Sequence, residues 1–100
     1  MKVNVQAVNF NIDKKLVDFT QEKLNRLEKY YDKVVMAEVY FKLENTSEKE
    51  NKTAEIKLNV PGDDIIIKKT NKTFEESIDV AVSSLERVLI KRKEKIKAKV

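Results

Sequence analysis

From Glu86 to the end of the chain there are seven cations, Arg87, Lys91, Arg92, Lys93, Lys95, Lys97 and Lys99, against two anions, Glu86 and Glu94. That is a local +5 on a chain whose total is +4. Lysines in the last turns of a helix are favoured by the helix dipole, by roughly 0.3–1 kcal/mol each, which accounts for a few of them but not for seven. The chemistry that uses such a density is neutralisation of a polyanion, nucleic acid first. A second cationic row, Lys23, Arg26 and Lys29, steps by three earlier in the chain, with Glu22 and Glu28 beside it. Alone it reads as a solvated helix face.

Other chemistries find few residues. The chain of 100 residues has no His and no Cys, which removes the commonest general base, the usual nucleophile pairings and the usual zinc ligands. With one glycine, Gly62, there is no phosphate-cradling glycine loop. The carboxylate pair Asp63-Asp64 sits where a strand points neighbours to opposite faces, so the two do not converge on a metal ion. Glu75 and Glu76 fall in a first helical turn, where anions are favoured in any case. Tyr30 and Tyr31 could stack on bases, although for Tyr30 packing is the simpler reading. The expectation is therefore no catalytic residue, no metal, no cofactor and no small-molecule substrate.

The elements that must position the cations follow from periodicity. Residues 73–100 contain no Gly or Pro, and Thr73 with Glu76 has the spacing of a capping box. Phe74, Ile78, Ala81, Val82, Leu85, Val88 and Leu89 then recur in steps of three and four, a stripe facing a core. This helix starts as a core element and ends as a cationic arm, with Ile96 the last large apolar residue before Val100. Earlier, Asp13 is a candidate N-cap for a helix running to about residue 30, buried along Leu16, Thr20, Leu24, Leu27 and Tyr31, with Val17 and Phe19 flanking. Strands are expected at Lys2–Val8, at 34–44 with Ala37, Val39, Phe41 and Leu43 inward, and at 53–60 with Ala54, Ile56, Leu58 and Val60 inward. Residues 45–51 read as a mobile hairpin loop. Pro61-Gly62 suits a type II turn, whose third residue needs a positive φ. A fourth strand starts at Ile65–Ile67 and leaves Ile66 on the wet face.

The order is βαβββα in a single domain, residues 1–100: an α+β fold with one four-stranded mixed sheet and two helices packed on the same face. The first two strands should be parallel, joined by a right-handed helical crossover, with the other two following as an antiparallel meander. Side by side, the helices would set Lys23, Arg26 and Lys29 across a groove from Arg87, Lys91 and Lys95. No apolar run is long enough to span a bilayer and no signal-peptide core opens the chain, so no membrane is involved and the cytoplasm is the expected address.

In this order of elements the chain resembles the ribosome hibernation factor family, which takes in the short hibernation-promoting factor and the ribosome-associated inhibitor called protein Y, and is also known as the sigma-54 modulation protein family. The likeness covers nearly the whole chain. It rests on Leu24-Asn25-Arg26-Leu27-Glu28-Lys29-Tyr30-Tyr31-Asp32, on Val39-Tyr40-Phe41-Lys42-Leu43-Glu44, on Ile78-Asp79 leading to Leu85-Glu86-Arg87, and on Lys91-Arg92-Lys93-Glu94-Lys95-Ile96-Lys97. The resemblance implies binding to the small ribosomal subunit and its rRNA, in the channel that mRNA and the A- and P-site tRNAs use. Carried over by position, the binding residues are Lys23, Arg26, Arg87, Lys91, Lys93 and Lys95, to which the groove adds Lys29. A basic groove and helical arm filling such a channel, on a chain with so few catalytic residues, lead to the expectation of inhibition by occupancy, and the free protein is expected to be a monomer. Two departures stand out. This chain has Thr73-Phe74-Glu75 where the family usually has Asp-Met-Tyr, so that tyrosine is missing, and it stops where long members continue into a dimerising domain.

Two other readings remain open at this point. A double-stranded RNA-binding domain, αβββα, lacks the leading strand and usually presents lysines where this chain has Glu75-Glu76. A protein-interaction module would use the open sheet face or the strand edges, but Lys2, Gln6, Glu38, Lys42, Glu55 and Lys57 mix both signs there with no large apolar patch.

Overall fold

The structure is a computed structural model that describes residues 1–98, with side chains described through Lys95. The expectations for the side chains of Ile96 and Lys97, and for Lys99 and Val100, lie outside the described residues. Four strands, β1 (Lys2–Val8), β2 (Met36–Leu43), β3 (Lys52–Val60) and β4 (Asp63–Asn71), form one sheet in the order β1-β2-β3-β4. β1 runs parallel to β2, and the β2–β3 and β3–β4 pairs are antiparallel. Helices α1 (Lys14–Asn25) and α2 (Phe74–Ala98) pack side by side over one face, which is the expected α+β arrangement.

Alternation fixes which face is covered. Ala37, Val39 and Phe41 of β2 and Ala54, Ile56 and Leu58 of β3 are fully buried, and they meet Ile78, Ala81, Leu85 and Leu89 of α2 and Leu24 of α1. Each of the larger side chains among them, Val, Leu, Ile and Phe, stabilises by about 1.5–3 kcal/mol. Two expected members of this core lie outside it. Val88 is half-exposed because it sits about 80° round the helix from the middle of the stripe. Leu43 is exposed at the end of β2, where the chain leaves the sheet for the loop.

Helix ends follow local chemistry. The Asp13 carboxylate accepts from Leu16 N–H at 2.8 Å, the expected cap. α1 stops at Asn25, five residues before its expected end, and tightens into a 3-10 turn, Arg26–Lys29, that keeps Leu27 buried. Leu27 C=O accepts from both Tyr30 N–H (3.0 Å) and Tyr31 N–H (3.2 Å), closing the turn. At α2 the Thr73 hydroxyl accepts from Glu76 N–H at 3.1 Å, the forward half of the capping box. The Ser77 hydroxyl donates to Lys52 C=O at 2.6 Å and ties this helix start to β3. Phe74 stacks on Phe10 (4.7 Å between ring centroids) and meets Phe41 edge-on (5.4 Å), so the β1–α1 connection closes over the same end. Gly62 has φ +79°, as its turn requires. Ile66 stands on the open face, 58% exposed, and nothing around it accounts for an isoleucine there.

Candidate nucleic-acid interface

The cations divide by what they touch. Lys23, on the flank of α1 that faces α2, reaches across the seam to Asp79 Oδ1 at 3.0 Å and lies 5.4 Å from the centroid of its neighbour Phe19. Arg26, the first residue of the 3-10 turn, leans back along α1 to Glu22, at 3.5 Å. Arg92 does not face outward with its neighbours. It donates to Pro61 C=O at 3.1 Å and meets Asp63 Oδ2 at 3.4 Å, so it clamps α2 to the β3–β4 turn. By contrast Lys29, Arg87, Lys91, Lys93 and Lys95 are exposed and make no ion pair among the described residues.

The groove expected between the two cationic rows is not what the helices form. At about 100° per residue, positions 79, 86 and 93 stay on one flank of α2, drifting only about 20° per seven-residue step. Asp79 contacts α1 from this flank, and Lys93 reaches the neighbourhood of Lys29. Steps of four drift the other way. Arg87, about 80° round from Asp79, points away from the sheet, and Lys91 and Lys95, at about 120° and 160°, wind on toward the flank of α2 away from α1, all three exposed. The seam itself is partly acidic, through Asp79 and Glu86. The cationic surface is thus an outer ridge along α2 plus a separate cluster where α1 ends. Of the residues expected to bind, Lys29 and Lys93 come together, Arg87, Lys91 and Lys95 share the ridge, and Lys23 is drawn into the seam.

The cluster surrounds a cavity of about 380 Å³ between α2 and the chain just after the 3-10 turn. Lys29, Lys33 and Lys93 stand around it, with Tyr30 and Tyr31 in its lining. Tyr31 is buried and Tyr30 half-buried. Glu28 and Asp32 also border it, and the Glu28 carboxylate is held at 2.7 Å by the N-terminal ammonium of Met1. Lys33 was not among the expected binding residues. Its spacing of four from Lys29, across Tyr30-Tyr31-Asp32, was the available signal.

The acidic pairs behave differently. Asp63 accepts from Arg92 and from Asp64 N–H, while Asp64 turns to Asn59 and Lys57, so the two carboxylates diverge. Among the described residues no three acidic side chains gather as a metal site would require, and no helix is long and apolar enough to cross a membrane.

Comparison with known proteins bears on this geometry. The family model described as sigma 54 modulation protein / S30EA ribosomal protein matches residues 3–97. The ribosome hibernation promoting factor of Pseudomonas putida is 30% identical over 95 residues, which span 95% of this chain and 89% of that one. The factor of the same name from Escherichia coli K12 is 30% identical over 97 residues, 97% of this chain and 98% of that one. Among solved structures, the N-terminal domain of Thermus thermophilus protein Y superposes with a TM-score of 0.79 at 28% identity, covering 91% of this chain and 98% of that one. The leading strand β1, paired in parallel with β2, separates all of this from an αβββα double-stranded RNA-binding module.

Proposed function

Because the chain belongs to the sigma 54 modulation protein / S30EA ribosomal protein family, we propose that it is a ribosome hibernation factor, a translation inhibitor that binds the small ribosomal subunit through its rRNA. The observation that carries the reading is the row Arg87, Lys91 and Lys95: three exposed cations, one turn apart along the side of α2 away from α1, with no ion-pair partner among the described residues. Successive helical turns set them about 6 Å apart, close to the phosphate spacing of an RNA strand, and no described residue has to release them before they bind. Lys29 and Lys93 extend the contact at the cavity. Lys23 and Arg26 join it only by exchanging Asp79 and Glu22 for phosphate.

The site proposed is the channel used by mRNA and the A- and P-site tRNAs, and the mechanism is occupancy. The protein displaces the counterions that mRNA or tRNA would displace, and no side chain cleaves or modifies RNA. It acts in the cytoplasm and as a monomer when free. Binding is then competitive and reversible: subunits preloaded with mRNA and a P-site tRNA resist the protein, and inhibition is stoichiometric. The test is in vitro translation titrated with the purified protein, followed by its removal at high salt. Activity is expected to return with the rRNA intact. Activity that stays lost, with rRNA cut or modified, overturns the occupancy mechanism.

A further inference from the structure

We propose that the cavity beside Tyr30 is a nucleotide site, which seats one unstacked nucleotide with its base against the Tyr30 ring and its phosphate among Lys29, Lys33 and Lys93. The inference deepens the reading above and rests on it only for the source of the nucleotide. Three observations converge. The volume, about 380 Å³, is at the small end of the range for ligand sites, roughly 300–1,000 Å³, and a mononucleotide is a ligand of that size. Three amines come from three different stretches of chain: the end of the 3-10 turn, the segment before β2, and α2. None has an ion-pair partner among the described residues, so the three charges are available to a ligand.

The anions at the cavity do not cancel this charge. Glu28 is already answered by the Met1 ammonium at 2.7 Å, leaving Asp32 against three lysines. An aromatic ring next to a cluster of unpaired cations matches both halves of a nucleotide: every base has a π-face to stack, worth about 1–3 kcal/mol in single-strand binding, and every phosphate takes charge-assisted hydrogen bonds from ammonium groups. The platform is held in place beforehand. Leu27 C=O fixes Tyr30 N–H at 3.0 Å and Tyr31 N–H at 3.2 Å, and Tyr31 is anchored in the core. Inorganic phosphate has no use for the ring, and an apolar ligand has none for the lysines.

The nucleotide is either an unstacked residue of bound RNA or a free mononucleotide, and the test separates the two. The backbone amides of the intact protein are followed by NMR while adenosine and guanosine 5′-monophosphate, inorganic phosphate, adenosine and a short single-stranded oligoribonucleotide are titrated in turn, with no ribosome present. Shifts are expected at residues 29–33 and 93, at least about tenfold weaker in apparent affinity for phosphate or adenosine alone than for a whole nucleotide. Tyr30→Ala and Lys93→Ala should each remove that preference, while Tyr30→Phe keeps it and Lys68→Ala, exposed on β4, leaves these shifts alone. Saturation by the mononucleotide identifies a free ligand; saturation by the oligomer alone identifies RNA. The proposal is overturned if phosphate shifts the site as strongly as a nucleotide does, or if neither nucleotide nor oligomer moves residues 29–33. Because subunit binding is measured separately, a protein that binds ribosomes but leaves Tyr30 unmoved sinks this site alone.

Discussion

The two ends of the helical layer use the same residue types to opposite effect. At one end Lys23 spans the seam to Asp79 and lies by Phe19, and its charge is spent within the protein. At the other end Lys29, Lys33 and Lys93 ring an aromatic cavity without an ion-pair partner among the described residues, and on the outer ridge Arg87, Lys91 and Lys95 are equally free. Exposed pairs such as Lys23–Asp79 contribute at most about 1 kcal/mol to stability, so pairing matters less for the fold than for which cations are available to a polyanion. A count of positive charge marks the chain as basic. Only the location of the anions marks the surface.

The largest test of this contrast reverses two free cations. Arg87→Glu with Lys91→Glu should abolish co-sedimentation with small subunits, while the melting curve stays close to that of the parent, since exposed charge changes seldom cost more than about 0.5 kcal/mol. The control is Lys42→Glu with Lys57→Glu on the open face of the sheet, where Glu44 and Asp64 already stand 3.9 Å from the lysines. Equal loss in both pairs would mean that the helical side is not the surface.

Salt should act nearly as strongly. With about four to six phosphates neutralised, affinity is expected to fall several-hundred-fold or more between roughly 50 and 200 mM salt. A flat response in the same sedimentation assay would remove the polyanion reading.

Single substitutions sharpen the contrast between paired and unpaired cations. Lys91→Ala should lower affinity by about tenfold and reduce the salt slope by about 0.9. Lys23→Ala should cost less than about threefold, because that lysine must first leave Asp79. If Lys23 proves the more costly of the two, its pairing with Asp79 is not kept in the complex.

The smallest effect is the one whose sign decides most. Asp63→Ala removes an anion, so on charge alone it should tighten binding to RNA. If Asp63 and Pro61 C=O hold Arg92 and thereby aim the cationic end of α2, binding should instead weaken, by about threefold. Hydrogen exchange at residues 93–95 should quicken in the same variant, independently of any ribosome. Tighter binding with unchanged exchange would mean that Arg92, once released, adds a phosphate contact of its own.

Much of the fold was legible in the residues because its determinants are local or periodic. The period-two runs in β1, β2 and β3 placed Val39, Ile56 and Leu58 inward, the three-and-four stripe placed Ile78, Leu85 and Leu89, and Asp13, Thr73 and Pro61-Gly62 marked ends and a turn. Each is a signal carried within a few residues of where it acts. The errors fell where packing overrides period. α1 tightened into a 3-10 turn to bury Leu27 and Tyr31 together, and Val88 and Leu43 kept an apolar type at positions that are only partly covered.

By itself, then, the sequence determined the element order, the buried faces and the excess of cations, since pattern and composition are properties of the chain alone. The tertiary structure decided what each cation does. Whether Arg92 faces a phosphate or Pro61, whether Lys23 is free or held by Asp79, and whether Lys33 stands beside Lys93 all depend on residues 29 to 60 positions away. The helical drift of about 40° per four residues, measured against the direction of the neighbouring helix, carried Arg87, Lys91 and Lys95 out of the seam and onto the ridge. No spacing along the chain contains that direction until the two helices have been laid on the sheet.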